Sequence, residues 1–273
     1  MTRTKLVTTC ATTLFVALSL VACDQGSGSS FARKSTTTSS QQSPVDDGTS
    51  SNGEENELPD DADTGDTGDT AGQPAPALSA VDINAARTAL GSLPTRGFSP
   101  NVPKYDRNEF GKPWSDDVTV DGGHNGCDTR NDILARDLTD VEFKPAKRNC
   151  IVTKGKLNDP YTNTTIEFKR GRKSSDLIPI DHVVALGDAW YSGAYQWDAD
   201  RRRNFANDPI NLQATNRESN TQKSAKNAAE WLPPNTAYQC EYVGRQITIK
   251  STYGLSVTPA EKNAMEKVLA TCS

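Results

Sequence analysis

The sequence predicts a single α+β domain over residues 79–273, and three observations predict it. Past residue 79, segments with helical spacing alternate with short strand-like runs, and no composition break divides them. An apolar run at 177–186 contains an adjacent Asp181-His182 pair. About thirty residues on it is answered by a strand-like patch at 210–213 and a polar stretch that opens a helix near Asn220. Four cysteines, Cys127, Cys150, Cys240 and Cys272, fall in this part of the chain, an even number suited to two disulfides in an exported protein.

The N-terminal third reads differently. Arg3 and Lys5 precede an apolar core at 11–21, too short to span a bilayer, which closes with Leu20-Val21-Ala22-Cys23. Small residues directly before a cysteine resemble the bacterial lipobox. Residues 1–22 are therefore expected to be a lipoprotein signal, with Cys23 the lipidated first residue of the mature chain; an ordinary signal peptide with an incidental cysteine is the alternative. The protein would then be exported and held by acyl chains alone on the outer face of the bacterial cell membrane. Residues 23–78 are rich in Ser, Thr, Gly, Asp, Glu and Pro, and no basic residue occurs between Lys34 and Arg87. That composition predicts a disordered acidic tether. The repeated Asp-Thr-Gly at 63–70 admits a calcium-binding reading, though its spacing fits no EF-hand.

The elements of the domain follow in order. Residues 81–90 have helical spacing and stop at Gly91, and residues 95–118, rich in Pro, Gly and aromatics, predict an irregular wrap. A short helix is expected at 131–138, with strands at 141–143, 150–153 and 165–168 and a turn at 158–161. Helices are expected at 184–191, broken at Gly193, at 199–205, and at 221–232, ended by Pro233-Pro234. Two more complete the chain: 236 to about 252, capped by Asn235 or Thr236, and 259–271, with Thr258 as cap and Pro259 at the first position. The β-branched run Gln246-Ile247-Thr248-Ile249 argues against the first of these.

The chain carries a net charge of −5, unevenly spread. Twelve acids against four basic residues in the first 86 positions give −8 there, so the rest carries +3. The folded part is mildly basic, which lends slight support to a phosphate ligand. A zinc site is disfavoured, because no Cys-x-x-Cys occurs and His124 and His182 are the only histidines. Sequence proximity favours Cys127–Cys150 and Cys240–Cys272 among the possible disulfide pairings.

A carboxylate, an imidazole and an amide brought together by Asp181, His182 and Asn220 suit a metal-dependent phosphodiesterase. The ordered series Cys127-Asp128-Thr129-Arg130-Asn131-Asp132, Asp159-Pro160-Tyr161, Asp181-His182-Val183-Val184-Ala185-Leu186, Ala189-Trp190, Phe205-Ala206-Asn207-Asp208-Pro209-Ile210-Asn211-Leu212 and Ala229-Glu230-Trp231-Leu232-Pro233-Pro234 carries the argument further. It resembles the exported HNH endonuclease family proteins related to the C-terminal domain of GmrSD-type restriction enzymes. The resemblance implies a ββα-metal (HNH, or His-Me finger) core with flanking helices. It also implies hydrolysis of DNA or RNA phosphodiesters to 5′-phosphate and 3′-hydroxyl ends. Asn220 stands where many HNH enzymes have histidine.

Roles follow from that pattern. His182 is expected to take a proton from the attacking water, with Asn211 bonding backbone across the ββ loop to orient it. Asp181, on the opposite side of the strand, and Asn220 would hold one divalent ion, Mg²⁺ or alternatively Mn²⁺. Arg130 could grip the scissile phosphate, and Lys223, Arg217, Arg201 and Arg202 could meet backbone phosphates. The bland alternatives are a structural histidine, a helix cap for Asp181, a turn amide for Asn211, a salt bridge for Arg130 and a solvated helix face for the basic run. A low-specificity monomeric nuclease is the expectation, and a non-catalytic surface lipoprotein binding nucleic acid or a protein is the rival.

Overall fold

The structure is a computed structural model, and it describes residues 80–273 except 98, 146–148 and 173. The signal, the lipidation site Cys23 and the tether lie outside the described residues. Helix α1 (Ile83–Ser92) begins where Asp82 accepts hydrogen bonds from the backbone N–H groups of Asn84 and Ala85. It runs past Gly91, and Val81, just before its cap, packs on α6 (Gln239–Tyr253) at Gly244, where an added Cβ would come within 2.3 Å of the valine. Only glycine permits that approach.

Helix α2 (Thr129–Asp137) starts two residues earlier than its apolar spacing suggests, because Asp128 caps it. It gives way at Leu138 to β1 (Leu138–Phe143), which with β2 (Val152–Asp159) and β3 (Thr164–Lys169) forms an antiparallel meander in the order β1-β2-β3. The turn after β2 closes with Asn163 at a φ of 56°. The smaller core cluster lies between this sheet and α2, with Ile133, Leu134, Leu157 and Phe168 buried.

A second, two-stranded sheet pairs β4 (Ile180–His182) with β5 (Leu212–Ala214), Asp181 opposite Gln213 and His182 opposite Leu212. Between them the chain makes α3 (Leu186–Tyr191) and α4 (Ala199–Asn207). The strand expected at 210–213 begins at Leu212 instead, because Asp208 caps a 3₁₀ turn over Pro209–Asn211. Helix α5 (Arg217–Lys223) replaces the longer helix expected at 221–232: capped by Asn216 it starts four residues early, and it ends at Ser224, whose φ is 48°.

Helix α6 begins at Gln239 after a 3₁₀ turn and carries the β-branched run without a break. Packing decides there: Ile247 and Ile249 are buried in the larger core with residues of α1, α3, α4 and α7 (Pro259–Leu269). Thr258 and Glu261 form a capping box with Pro259 at the first turn of α7. Lys250, without solvent exposure, pairs with Asp188 and Glu261 at 2.7 Å each and so ties α3, α6 and α7 together. Cys127 is bridged to Cys150 and Cys240 to Cys272, with Cα separations of 5.2 and 5.8 Å. Among the described residues no helix is long and apolar enough to cross a membrane.

Candidate active site around His182

β4 sends Asp181 and His182 to opposite sides of its sheet, as the pleat requires. His182 is nearly buried, and its ring lies almost parallel to Trp114, with centroids 6.1 Å apart. Its Nε2 is 2.9 Å from the carbonyl oxygen of Ala206, at the end of α4. A carbonyl can only accept, so Nε2 carries the proton and Nδ1 keeps its lone pair. Burial, assisted by the charges of Arg107 and Lys223, lowers the imidazole pKa to about 3, with the Ala206 bond opposing; the ring is neutral at ordinary pH.

Asn211 is fully buried and closes the chain next to the histidine. Its Oδ1 accepts from Val184 N at 2.8 Å, its Nδ2 donates to Val184 O at 3.2 Å, and its own carbonyl accepts from Val183 N at 2.8 Å. The two residues after His182 are thereby fixed to the turn that leads into β5. Further residues hold β5 in turn, and the sequence reading had not assigned them this work. Arg136 donates to the carbonyls of Pro209 and Leu212, and buried Arg245 to Gln213 Oε1 and the carbonyls of Ile210 and Leu212.

On the other side of the sheet, Asp181 is engaged twice. Its Oδ2 accepts from Tyr161 Oη at 2.7 Å and its Oδ1 from Lys223 Nζ at 3.0 Å; Lys223 also donates to the His182 carbonyl at 2.8 Å. Lys223 has no solvent exposure, which corrects its expected role at backbone phosphates. Its ammonium is a partner of Asp181. Asn220 lies three residues before Lys223 on α5, on the same helix face, and is partly buried. The pair expected to hold a divalent ion therefore does not fit one as arranged: any ion at Asp181 has to displace a buried ammonium. Among the described residues no group of three or more His, Cys, Asp or Glu side chains converges to hold a metal.

The other expected contacts are also redistributed. Arg130 Nη2 donates to the carbonyls of Ser175 and Ile178, at 3.0 and 3.1 Å, and so positions the chain entering β4. Arg202 binds Glu109 through its carbonyl and carboxylate and also reaches the Trp197 carbonyl, while Arg201 donates to Tyr253 O and lies over the Trp197 ring. Arg202 is thus taken up in packing, whereas Arg201 makes these contacts from an exposed position. Arg217 is exposed at the start of α5, in the wall of an open groove with Leu177 and Ile166, away from the cavity at His182.

That cavity, of about 50 Å³, is lined by His182, Leu186, Ala206 and Asn207 and, from the irregular wrap, by residues 107, 108 and 110–114. Arg107 and Lys112 stand exposed at its rim. Asn207 is buried, donates through Nδ2 to Arg203 O, and has no partner for Oδ1 among the described residues. Trp114, Arg107, Lys112 and Asn207 were missed from sequence. The first three sit in the irregular wrap, which no periodicity locates; Asn207 and Tyr161 lay inside motifs already noted, without a role.

A buried neutral imidazole thus lines a small cavity together with Arg107 and Lys112, on a mixed α/β fold. Residues 128–268 match the family model described as GmrSD restriction endonucleases, C-terminal domain. The chain is also 37% identical over 203 residues to an "Uncharacterized secreted protein" of Arthroderma benhamiae, covering 73% of this chain and 92% of that one. The chain belongs to the family of GmrSD restriction endonuclease C-terminal domains. No solved structure matches it significantly.

Proposed function

We propose that the protein is a nuclease that hydrolyses nucleic-acid phosphodiester bonds with His182 as general base. The observation that carries this reading is the tautomer: Nε2 is held by the Ala206 carbonyl, so Nδ1 keeps its lone pair on a residue that lines the cavity. Water attacks phosphorus as its proton passes to Nδ1. The new P–O bond forms as the bond to the 3′-oxygen breaks, and the leaving oxygen takes a proton from solvent. Tyr161 and Lys223 keep Asp181, and with it the backbone of β4, in one geometry. The pairing of β4 with β5, followed by α5, supports a ββα core.

The resemblance implied Mg²⁺ or Mn²⁺ on Asp181 and Asn220. Because both oxygens of Asp181 already have protein partners, no step is assigned to an ion here. The two disulfides and the secreted relative support export. Lipid attachment at Cys23, a tether over 23–78 and a monomeric state complete the reading.

The deciding experiment is a cleavage assay on plasmid DNA, single-stranded DNA and RNA with Mg²⁺, Mn²⁺ or EDTA, beside His182→Ala. Cleavage lost in the variant establishes the nuclease. Loss in EDTA alone restores an ion to the site, and no cleavage under any condition leaves a non-catalytic binding protein.

A further inference from the structure

We propose that the 107–114 loop is the phosphate clamp of this site, with Arg107 and Lys112 holding the non-bridging oxygens of a nucleic-acid phosphate over His182. The proposal rests on the reading of the His182 cavity as a phosphodiesterase site and relocates its nucleic-acid contact from α4 and α5 to this loop.

The loop is rigidly mounted. Asp106 caps its first turn (Arg107–Phe110), and Phe110 is buried against Tyr105, Trp190 and Phe205. Arg202 on α4 grips both the carbonyl and the carboxylate of Glu109, at 2.7 and 2.9 Å. Gly111, at a φ of 78°, lets the chain turn directly over the Arg203 side chain, 3.5 Å from where a Cβ would sit. Arg202 and Arg203 on α4 thus fasten the loop.

What the loop presents is charge. Arg107 and Lys112 are exposed on the rim and neither takes part in an ion pair among the described residues, Arg107 being hydrogen-bonded to the Tyr105 hydroxyl. The nearby carboxylates are otherwise occupied: Glu109 pairs with Arg202, Asp117 lies 3.5 Å from Arg203, and Asp106 caps the turn. A guanidinium fork and a point ammonium on one rim suit an anion with several oxygens. A cavity of about 50 Å³ admits a phosphate oxygen and water but not a base. The unpartnered Oδ1 of Asn207, a residue of the same wall, is a buried acceptor that a water would complete. With Asp181 committed to Lys223, these two cations are the charges available to offset that of a phosphorane at His182.

The test uses the disulfide-intact chain carrying His182→Ala, in EDTA so that nothing is cut. Fluorescence anisotropy with a labelled duplex and a labelled single strand is followed over a salt series. Adding Arg107→Ala and Lys112→Ala is expected to weaken binding and to lower the slope of log K against log salt for duplex by about two. Thermal melting should move by no more than the loss of one exposed Arg107–Tyr105 hydrogen bond, since both side chains are exposed. Binding and slope unaltered in the triple variant, or no binding of either oligonucleotide before the two changes, overturns the clamp. Cleavage assays separate this from the nuclease reading. Loss of binding in a protein whose wild type never cuts keeps the clamp and removes the hydrolase. A cutting enzyme indifferent to Arg107 and Lys112 does the reverse.

Discussion

Lys223 Nζ donates to Asp181 Oδ1 at 3.0 Å in a place where neither side chain meets solvent beyond a few per cent. A buried pair of this kind is held by mutual need: each charge alone is stranded in a medium that solvates it poorly. Lys223→Met is therefore expected to cost about 3–5 kcal/mol in urea melts. Asp181→Asn combined with Lys223→Met should recover part of that, giving a coupling energy of opposite sign to the single losses. Two single variants whose effects simply add would show that the pair is not coupled. The same Lys223→Met protein tests the ion: a vacated carboxylate should bind Mn²⁺, seen as a rise in melting temperature on addition that the wild type lacks.

Asp181, His182 and Asn211, which the fold brings together at the β4–β5 pair, stood out in the sequence because each lies in a short motif between turn and strand signals. The reading from sequence placed the cap of α7 correctly, since Thr258, Pro259 and Glu261 are a purely local device. It misplaced α5 because Asn216 and Asn220 are both acceptable near a helix start, and only the bond from Ser219 N to Asn216 Oδ1 distinguishes them. It could not see that Lys223 is internal: a lysine near a helix end reads as solvated until Tyr161, eighty-odd positions from the helices that cover it, is brought alongside Asp181. The 107–114 loop was invisible for the same reason. Its order comes from Phe110 and from Arg202, not from periodicity.

The pH dependence of stability should carry the signature of His182. In the unfolded chain its imidazole titrates near 6.5, and in the folded chain burial lowers this to about 3. Between those values the unfolded state binds a proton that the folded state does not. Stability from this group is thus intact above about pH 6.5 and is lost as pH falls, by about 1.4 kcal/mol per pH unit. His182→Gln should remove that much slope from stabilities measured by urea melts between about pH 4 and 6. An unchanged slope would mean that the imidazole protonates in the folded protein.

Asp132 should act with the opposite sign. Burial raises its carboxyl pKa from 3.8 to about 7, with Asp128 and Asp116 adding to the rise and an Asn125 hydrogen bond opposing it. Across that window the folded state keeps a proton that the unfolded state has lost, so its contribution is full below about pH 4 and declines as pH rises through 7. Asp132→Asn keeps the shape without the charge. The variant is expected to match the wild type near about pH 4 and to gain on it steadily toward about pH 7, by urea melts at fixed ionic strength. A variant that gains nothing, or loses ground with rising pH, would show that Asp132 is ionised in the fold.

Asn211 joins stability to catalysis in one side chain. Its amide satisfies both the N–H and the C=O of Val184, two residues beyond His182, and no solvent reaches either bond. Asn211→Ala strands both backbone groups, at about 1–3 kcal/mol each. Asn211→Asp restores the acceptor for Val184 N but turns a carboxylate oxygen toward Val184 O, so it should rescue little. Because the clasp sets where β4 ends, the imbalance should also displace His182, and a shift of about 1 Å is enough to cost about a hundredfold in kcat. Oligonucleotide affinity, set by Arg107 and Lys112 on a separately anchored loop, should hardly move. A fall in affinity that tracks the fall in kcat would mean that the loop and the ββ clasp move together, and that Asn211 supports the whole cavity rather than the histidine alone.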